Sequence, residues 1–285
     1  MNLEGRRQSS NVEDRRRVSG GAIAGMGLGG TVIVVLLAVL FGRNPQEALQ
    51  QIQSQNATTQ TSQREFTKEE QELAEFASTI LASTEDVWTE VFKKMGRTYQ
   101  PPKMVLYTDA VQSGCGNATA AVGPFYCSAD QCLYIDLSFF SQMKKKLGAD
   151  GDFAYAYVIA HEVGHHVQHL LGTLDQAHAQ MARMNEKDAN RVSVRIELQA
   201  DYYAGVWGHY ENKLYQSLED GDLREAIECA AVIGDDYLQE KAYGRFNPES
   251  FTHGSSDQRM KWLKKGLSTG DMSQGDTFSL SDSQL

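Results

Sequence analysis

The sequence has no excess of basic residues, and this absence limits the partners it could have. Its 285 residues include 27 Lys+Arg against 37 Asp+Glu, which gives a formal net charge of −10. A protein that binds nucleic-acid backbones through its overall field carries the opposite balance. We therefore expect no nucleic-acid partner. The chain also lacks an internal repeat, and its length suffices for one substantial core or two small ones.

Charge is completely absent from residues 20–42, which read GGAIAGMGLGGTVIVVLLAVLFG. As an α-helix the apolar run is about 30 Å long, which matches the hydrocarbon core of a bilayer. A cleaved signal peptide would have a shorter apolar run and an A-x-A cleavage site. A buried core helix is disfavoured because the uncharged apolar surface extends all round. We therefore expect a single uncleaved transmembrane helix over residues 20–42.

Basic residues are scarce directly after this segment, whereas several precede it. Residues 1–19 carry five arginines and three acidic residues, a net charge of +2, and only Arg43 follows closely. The positive-inside rule predicts that residues 1–19 form a cytoplasmic basic arm and that the body lies across the membrane. Gly21, Gly25 and Gly29 could let two spans pack together, or could simply be tolerated in a span. The oligomeric state is otherwise open.

Large apolar side chains are almost absent from the next segment. Residues 44–63 contain seven glutamines, and we interpret residues 43–65 as a flexible tether. Apolar periodicity resumes near Phe66, and the body extends over residues 66–267. Residues 268–285 are rich in Ser, Gly and Asp, and we expect them to form a disordered tail.

The body has the pattern of an α+β protein, mostly helical with a small sheet. Thr67 and Glu70 have the spacing of a capping box at the start of a helix over residues 67–95. Strands are predicted at residues 104–107 and 133–137. Further helices are predicted at residues 138–147, 151–171, 186–214, 222–243 and 255–267.

Cysteine is scarce and no C-x-x-C occurs, so a zinc ribbon is disfavoured. The four cysteines are Cys115, Cys127, Cys132 and Cys229. Outside the cytoplasm they could form disulfides. Cys115 and Cys127 bracket a stretch of small residues of hairpin length, so we favour this pair, which would leave Cys132 with Cys229. Four cysteines allow three connectivities, and the sequence does not choose among them.

The most specific motif is an H-E-x-x-H formed by His161, Glu162 and His165, inside the helix predicted at residues 151–171. Four residues advance a helix by about 400°, so the two imidazoles lie on one face and can bind one Zn²⁺. Glu162 lies beside them, where a general base for a zinc-bound water is expected. Gly164 costs a helix about 1 kcal/mol, which indicates close packing by another backbone.

A catalytic zinc ion needs a third protein ligand. Glu197 and Asp201 are one turn apart in an unusually apolar part of the next long predicted helix. We assign Glu197 as the ligand and Asp201 as the acceptor for the far N–H of a ligating histidine. The reverse assignment, and two solvated surface carboxylates, are the alternatives. A shifted pair of ligands, His165 with His169, is conceivable but lacks a following glutamate.

His253 begins a third motif, HGSSDQR. Ser255 or Ser256 could cap the helix that follows it. A histidine on such a turn could reach the active site and stabilise an oxyanion, and an incidental histidine on a capping turn is the equal alternative. Arg259 could pair with Asp201 or with another carboxylate of the site.

Five stretches together resemble the neutral zinc metallopeptidase family of bacteria. They are HEVGHHVQ (161–168), IELQADYYAG (196–205), HGSSDQR (253–259), SGCGNATAAVGPFYC (113–127) and LYIDLSFF (133–140). The resemblance implies a membrane-anchored protein with a single span and a zincin-like domain over residues 66–267. It also implies a gluzincin-like site in which Glu197 is the third ligand and Asp201 completes E-x-x-x-D. Asn117 and Ala118 would lie in an edge strand that lines the cleft and pairs with the substrate backbone.

These observations predict a zinc-dependent metalloendopeptidase that hydrolyses peptide bonds of proteins or peptides on the outer, periplasmic side of the bacterial inner membrane. His161, His165 and Glu197 would hold Zn²⁺, Glu162 would activate the zinc-bound water, and His253 would stabilise the oxyanion. The alternative is a membrane-tethered zincin-fold scaffold without significant turnover, although a scaffold needs no base at position 162. Hydrolysis of a non-peptide bond, such as a cell-wall amide, is a third option.

Overall fold

The computed structural model describes residues 1–17 and 65–285, and these residues form two compact units. The helical unit comprises Met1–Arg7, Ile80–Gln100 and Ala149–Leu285. The sheet unit comprises the described residues of Gln8–Thr79 together with Pro101–Gly148. Within the described residues the fold is α+β, mostly helical with a small sheet, as the sequence predicts.

The sheet unit contains a four-stranded sheet and a two-stranded sheet. Its strands are β1 (Val12–Asp14), β2 (Lys103–Tyr107), β3 (Ala110–Ser113), β4 (Gly116–Thr119), β5 (Phe125–Cys127) and β6 (Cys132–Asp136). The larger sheet has the order β1-β2-β6-β5, in which β1, β2 and β6 are parallel and β5 is antiparallel to β6. Strands β3 and β4 form the antiparallel pair.

Strands β2 and β6 form the centre of the larger sheet. Every residue of β6 is buried, and so is every residue of β2 after Lys103. Continuous burial of this kind is typical of central parallel strands, which are covered on both faces. The strands predicted at residues 104–107 and 133–137 are therefore confirmed to within one residue. Strands β1, β3 and β5 were not predicted, because three or four residues carry too little periodicity. Strand β4 contains Asn117 and Ala118, which the resemblance had placed in a strand.

One disulfide joins Cys115 to Cys127, with a Cα–Cα distance of 5.8 Å. It closes the segment that contains β4 and β5, so the favoured pairing is confirmed. Cys132 and Cys229 are buried and form no disulfide. The second pairing that the sequence left over is therefore wrong.

The helices lie close to their predicted positions. They are α1 (Lys68–Lys94), α2 (Ser138–Leu147), α3 (Asp152–Leu171), α4 (Thr173–Met181), α5 (Glu186–Tyr215), α6 (Asp222–Val232), α7 (Asp235–Tyr243) and α8 (Ser256–Thr269). The capping box of α1 is present, because the Glu70 N–H donates to Thr67 Oγ1 and the Thr67 N–H donates to Glu70 Oε2. Ser255 caps α8 in a second capping box with Gln258.

The single helix predicted over residues 222–243 is two helices, α6 and α7. Gly234 separates them, and a Cβ atom there would overlap the backbone nitrogen of Ser256. The chain turns at this glycine so that the start of α8 can approach it closely. Helix α4 was not predicted. It follows Gly172, whose φ of +83° ends α3 in a left-handed turn that few other residues adopt.

The helical unit is built around α5. Helices α3 and α8 both pack against α5, and α6 contacts α3 and α8. Gly205 of α5 meets Gly266 of α8 so closely that a Cβ atom on either would overlap backbone atoms of the other helix. Backbone-to-backbone contact of this kind fixes where the residues of α5 lie relative to their neighbours.

The arm formed by residues 1–17 is part of the folded body. In the sheet unit β1 pairs in parallel with β2, with Val12 opposite Met104. In the helical unit Arg6 Nη1 lies 2.6 Å from Oε1 of Glu211, whose side chain is fully buried. A segment that supplies a strand to the body's own sheet lies on the same side of any bilayer as the body. The expected cytoplasmic arm with the body across a membrane is therefore wrong.

Within residues 1–17 and 65–285, no helix combines the length and the apolar character needed to cross a membrane. The longest described helix, α5, has 30 residues but carries charged side chains along its length. This finding contradicts three expectations. They are the transmembrane helix before the body, the single-pass localisation in the inner membrane, and the membrane as a partner. Residues 20–42, with the glycines proposed for span dimerisation, and nearly all of the tether at 43–65 lie outside the described residues.

Residues 268–285, expected to be disordered, lie against α5 in the helical unit. The guanidinium of Arg195 donates to the carbonyl oxygens of Thr277 and Leu280, and Thr277 is fully buried. Gln199 Nε2 donates to the carbonyl oxygen of Gly275 over 2.8 Å. The composition of the tail does not predict these contacts, because its backbone rather than its side chains makes most of them.

Candidate metal centre

Two helices bring three candidate ligands together. His161 and His165 lie on α3 and Glu197 lies on α5, and one ligand atom from each falls within 4.8 Å of the others. Nε2 of His161 is 3.1 Å from Oε2 of Glu197, and Nε2 of His165 is 3.5 Å from Oε1 of the same carboxylate. Among the described residues this is the group of histidine, cysteine and acidic side chains that could hold a metal ion.

The two separations between imidazole nitrogen and carboxylate oxygen are close to those of a zinc site. Zinc binds imidazole nitrogen and carboxylate oxygen at about 2.1 Å, so the ligand atoms of a tetrahedral site are about 3.4 Å apart. The two separations, 3.1 and 3.5 Å, lie on either side of that value. Two imidazoles and one carboxylate are also a known catalytic donor set for zinc, which leaves the fourth position open.

The two helices can approach because one of them has a glycine at the contact. A Cβ atom on Gly164 would lie 2.9 Å from the carbonyl oxygen of Ala200 and 3.1 Å from its Cα atom. The prediction that Gly164 packs closely against another backbone is therefore confirmed. His165 is the next residue along α3, and Glu197 is about one turn before Ala200 on α5.

Asp201 lies behind the cluster and contacts the far side of the first histidine. Nδ1 of His161 is 2.8 Å from Oδ1 of Asp201, which is fully buried. Tyr157 donates its hydroxyl to the same oxygen over 2.6 Å. Arg259 donates from Nε and Nη2 to the two carboxylate oxygens, each over 2.9 Å. The structure thus pairs Arg259 with Asp201, which was one of its two predicted partners.

The electrostatics of the cluster favour positive charge. Burial by itself would lower the pKa of His161, but the Asp201 and Glu197 carboxylates outweigh burial and raise it to about 10. Burial would raise the pKa of Asp201, but Arg259 and His161 lower it to about 2. The same two carboxylates would attract a metal cation, which has to displace a proton from His161 when it binds.

His165 is neutral at pH 7, which is the form that binds a metal. Burial lowers the pKa of its imidazole to about 4. Its Nδ1 lies 2.9 Å from Oε1 of Gln168, three residues further along α3. Nε2, which faces Glu197, is then the nitrogen that is available as a ligand.

Glu162 occupies the position next to the first histidine. It lies on α3 and is 7% exposed, so its carboxylate is largely removed from water. A rigid helix therefore fixes its backbone relative to His161 and His165.

His253 is held by a single buried carboxylate. Asp235, at the start of α7, accepts from the backbone N–H groups of Thr252, His253 and Gly254 through Oδ2. Its other oxygen, Oδ1, is 3.1 Å from His253 Nδ1. Burial would lower the pKa of His253, but Asp235 outweighs it and raises the pKa. His253 is also close enough to Glu197 to help lower the pKa of that carboxylate.

The family model described as "Putative neutral zinc metallopeptidase" matches residues 1–278 of the chain. The chain belongs to this family.

Its curated relatives include bacterial proteins of the same length and shorter matches. The chain is 50% identical over 287 residues to "Uncharacterized protein YpfJ" of Escherichia coli (strain K12). The alignment covers 98% of this chain and 99% of the relative. The chain is 44% identical over 202 residues to "Uncharacterized protein Mb2605" of Mycobacterium bovis, which covers 67% of each chain. Neither name states an activity. No solved structure matches the chain.

The zinc named in the family description agrees with the donor set of the cluster. The family description names a peptidase, which implies a protein or peptide as the kind of substrate. The His161, His165 and Glu197 cluster supplies ligands of the type that zinc prefers.

The remaining histidines of α3 lie in other contacts. His169 Nδ1 is 3.0 Å from Oδ1 of Asp175, and the fully buried His166 has Nε2 2.7 Å from the carbonyl oxygen of Gln100. The shifted ligand pair with His169 thus does not appear as a cluster within the described residues.

Sequence reasoning missed three side chains that shape the site of this metallopeptidase family member. Tyr157 contacts Asp201, Gln168 contacts His165, and Asp235 contacts His253. Gln168 lies within the stretch that carries the family resemblance, so its spacing of three from His165 could have suggested the contact. No local signal connects Asp235 to His253, because they meet through a turn between helices.

Proposed function

We propose that this protein is a zinc-dependent metalloendopeptidase that hydrolyses peptide bonds of proteins or peptides. The proposal is carried by the cluster of His161, His165 and Glu197, with the largely buried residue Glu162 following His161 on the same helix. These three ligands would hold Zn²⁺, and Asp201 would orient His161 through its Nδ1–H. A bound Zn²⁺ supplies Lewis acidity, lowering the pKa of a water molecule to about 7 and polarising the scissile carbonyl.

Glu162 is the proposed general base. Its carboxylate accepts a proton from the attacking water while the water oxygen bonds to the scissile carbonyl carbon. The same carboxyl group then donates that proton to the leaving nitrogen as the C–N bond breaks. Glu162 therefore ends the reaction in its starting form, and the products are a carboxylic acid and an amine.

His253 is the proposed donor to the oxyanion. Its raised pKa favours the imidazolium form, which carries two N–H donors. Nδ1 faces Asp235, so Nε2 is available toward a substrate oxygen. Preorganised donors of this kind stabilise the negative charge that develops on the carbonyl oxygen.

Asn117 and Ala118 are proposed to bind the substrate backbone. Both lie in β4, whose partner in the two-stranded sheet is β3. A strand with one such partner has a second edge that can pair with an extended peptide.

Glu162→Gln in the full-length chain tests the mechanism. The amide cannot accept the proton, so we expect loss of peptide cleavage by about 10²-fold or more, while bound zinc is retained. Cleavage of casein and of a peptide library, with metal analysis of the same samples, measures both quantities. Asp152→Asn is the matched control, because Asp152 is an exposed carboxylate on the same helix and should change neither.

Cleavage by Glu162→Gln at the wild-type rate would contradict the mechanism. A zinc-loaded wild-type protein that cleaves no substrate would instead favour the scaffold alternative. Mass spectrometry of the products would identify hydrolysis of a bond other than a peptide bond. Inhibition by a chelator, with recovery on adding Zn²⁺, is expected of the wild type.

A further inference from the structure

The second histidine of the H-E-x-x-H motif is held by a buried amide. Oε1 of Gln168 lies 2.9 Å from Nδ1 of His165, and the Gln168 residue has no exposed surface. The carbonyl oxygen of an amide can only accept a hydrogen bond. If this oxygen faces the imidazole, Nδ1 must carry the proton and Nε2 must carry the lone pair.

The neighbours of Gln168 determine which way its amide faces. Its Nε2 donates to the backbone carbonyl oxygen of Ile196 over 2.8 Å and to Oε1 of Gln199 over 3.1 Å. A flipped amide would place its oxygen against the oxygen of Ile196 and leave buried polar groups unsatisfied. The nitrogen side therefore faces α5, and the oxygen side faces His165.

Gln199, the next residue in the series, also accepts a hydrogen bond through Oε1 and donates one through Nε2 to a backbone carbonyl oxygen. Its Nε2 donates to the backbone carbonyl oxygen of Gly275 over 2.8 Å, and the residue is 5% exposed. Gly275 belongs to the C-terminal segment, where Thr277 is fully buried against Arg195. Both amides thus end on backbone carbonyl oxygens, which accept and never donate, so the direction of every hydrogen bond in the series is fixed.

We propose that Gln168 and Gln199 form an amide relay that locks His165 in the Nδ1–H tautomer and so directs the Nε2 lone pair toward the metal position. The relay rests on the proposed role of His165 as a metal ligand. Gln168 and Gln199 are positioning residues, since they act through the histidine. A neutral imidazole otherwise exchanges between its two tautomers, and only one of them can bind through Nε2.

The two histidines of the motif are oriented by groups of different charge. Asp201 accepts from His161 as a carboxylate that Arg259 neutralises. Gln168 accepts from Nδ1 of His165 as a neutral amide, so it adds no further buried negative charge beside Glu197. A third carboxylate at this place would lack a cationic partner of its own, and a buried unpaired charge is costly.

Zinc affinity of the full-length chain tests the relay. We expect Gln168→Met to weaken zinc binding by about 10- to 100-fold, because partners of ligating histidines have effects of that size. Gln199→Met should weaken it less, since Ile196 still orients Gln168. Gln239→Met is the matched control, because Gln239 is also a buried glutamine with two hydrogen bonds but contacts no proposed ligand. Competition with a chromophoric chelator gives the dissociation constants.

The tautomer of His165 in the metal-free protein is the second measurement. Two-bond ¹⁵N–¹H correlation spectra distinguish Nδ1–H from Nε2–H, and His165→Ala assigns the signal. We expect the Nδ1–H form in the wild type, its loss in Gln168→Met, and its recovery in Gln168→Glu. Burial favours the protonated carboxyl group there, which can donate to the Ile196 carbonyl oxygen and still accept from Nδ1–H. This readout uses neither bound metal nor catalysis, so failure of the proposed function would leave it intact.

Two results would overturn the relay. One is an Nε2–H tautomer of His165 in the metal-free wild type. The other is wild-type zinc affinity in a folded Gln168→Met protein. If Gln168→Met does not fold, as judged by circular dichroism, the tautomer in Gln168→Glu and the zinc affinity of Gln199→Met decide between the same two outcomes.

Discussion

Replacing Gly164 with alanine places a methyl group between the two helices that carry the proposed ligands. The new Cβ atom would lie 2.9 Å from the carbonyl oxygen of Ala200 and 3.1 Å from its Cα atom. Both neighbours are backbone atoms, so they cannot move aside as the end of a side chain can. Ordinary carbon–carbon contact begins near 3.5 Å, so α3 and α5 must separate by roughly 0.4 Å.

Two effects on stability oppose each other in Gly164→Ala. Overpacking a close contact costs about 1–3 kcal/mol. Removing a glycine from a helix interior gains about 1 kcal/mol. We therefore expect the free energy of unfolding of the metal-free protein to fall by about 0–2 kcal/mol, which urea denaturation can measure.

The effect on zinc is expected to be clearer than the effect on stability. Metal sites tolerate deviations of about 0.2 Å in ligand distance, which is less than the required separation of the helices. Zinc binding would press α3 and α5 together against the new methyl group and so lose about 1–2 kcal/mol of binding free energy. This loss corresponds to a roughly tenfold higher dissociation constant. The assay is chelator competition on the full-length chain.

Gly208→Ala is the matched control for Gly164→Ala. Gly208 is also inside a helix, α5, and gains the same helix propensity. The nearest neighbour of its new Cβ atom would be Cδ2 of Leu267, the end of a flexible side chain, which shifts more easily than backbone atoms do. Zinc affinity in Gly208→Ala should therefore equal that of the wild type. A Gly164→Ala protein that binds zinc as tightly as the wild type would refute the reasoning, because the close approach would then not set the ligand geometry.

Two further predictions concern stability. Arg6→Met leaves the buried Glu211 carboxylate without its cationic partner and should lower the free energy of unfolding by about 3 kcal/mol. Arg15→Met is the comparison, because the acidic partner of Arg15 is exposed, and it should lower the free energy of unfolding by less than about 1 kcal/mol. Equal effects of the two variants in urea denaturation would rule out the burial argument. Replacing Cys115 and Cys127 by serine opens a disulfide with a sequence separation of 12 and should cost about 3 kcal/mol, and an unchanged unfolding midpoint would contradict this.

Much of the fold follows from local patterns. Helices α1, α2, α3, α5 and α8 begin and end within a few residues of their predicted limits, because apolar periodicity and capping residues are local signals. The break at Gly234 was missed, since its cause is the approach of Ser256 from a distant part of the chain. The arm at residues 1–17 was misjudged for the same reason, because its strand has a partner about 90 residues away.

The transmembrane interpretation shows where composition stops being informative. An uncharged stretch and a basic arm predict a topology only if the arm stays outside the fold. Here β1 joins the sheet of the body, and within residues 1–17 and 65–285 no helix is suited to cross a membrane. A count of charged residues cannot predict that a segment pairs as a strand, because the hydrogen bonds of the pairing are made by the backbone.

The sequence by itself determined that His161 and His165 share one face of a helix, and that Glu197 and Asp201 share one face of another, because four residues make slightly more than one turn. It favoured Glu197 over Asp201 as the carboxylate that meets the imidazole Nε2 atoms, with the reverse assignment as the alternative. Tertiary structure decided this: Glu197 lies near both Nε2 atoms, and Asp201 lies at Nδ1 of His161. The physical reason is the contact of Gly164 with Ala200, which sets the crossing point of the two helices and therefore the carboxylate that faces the cluster.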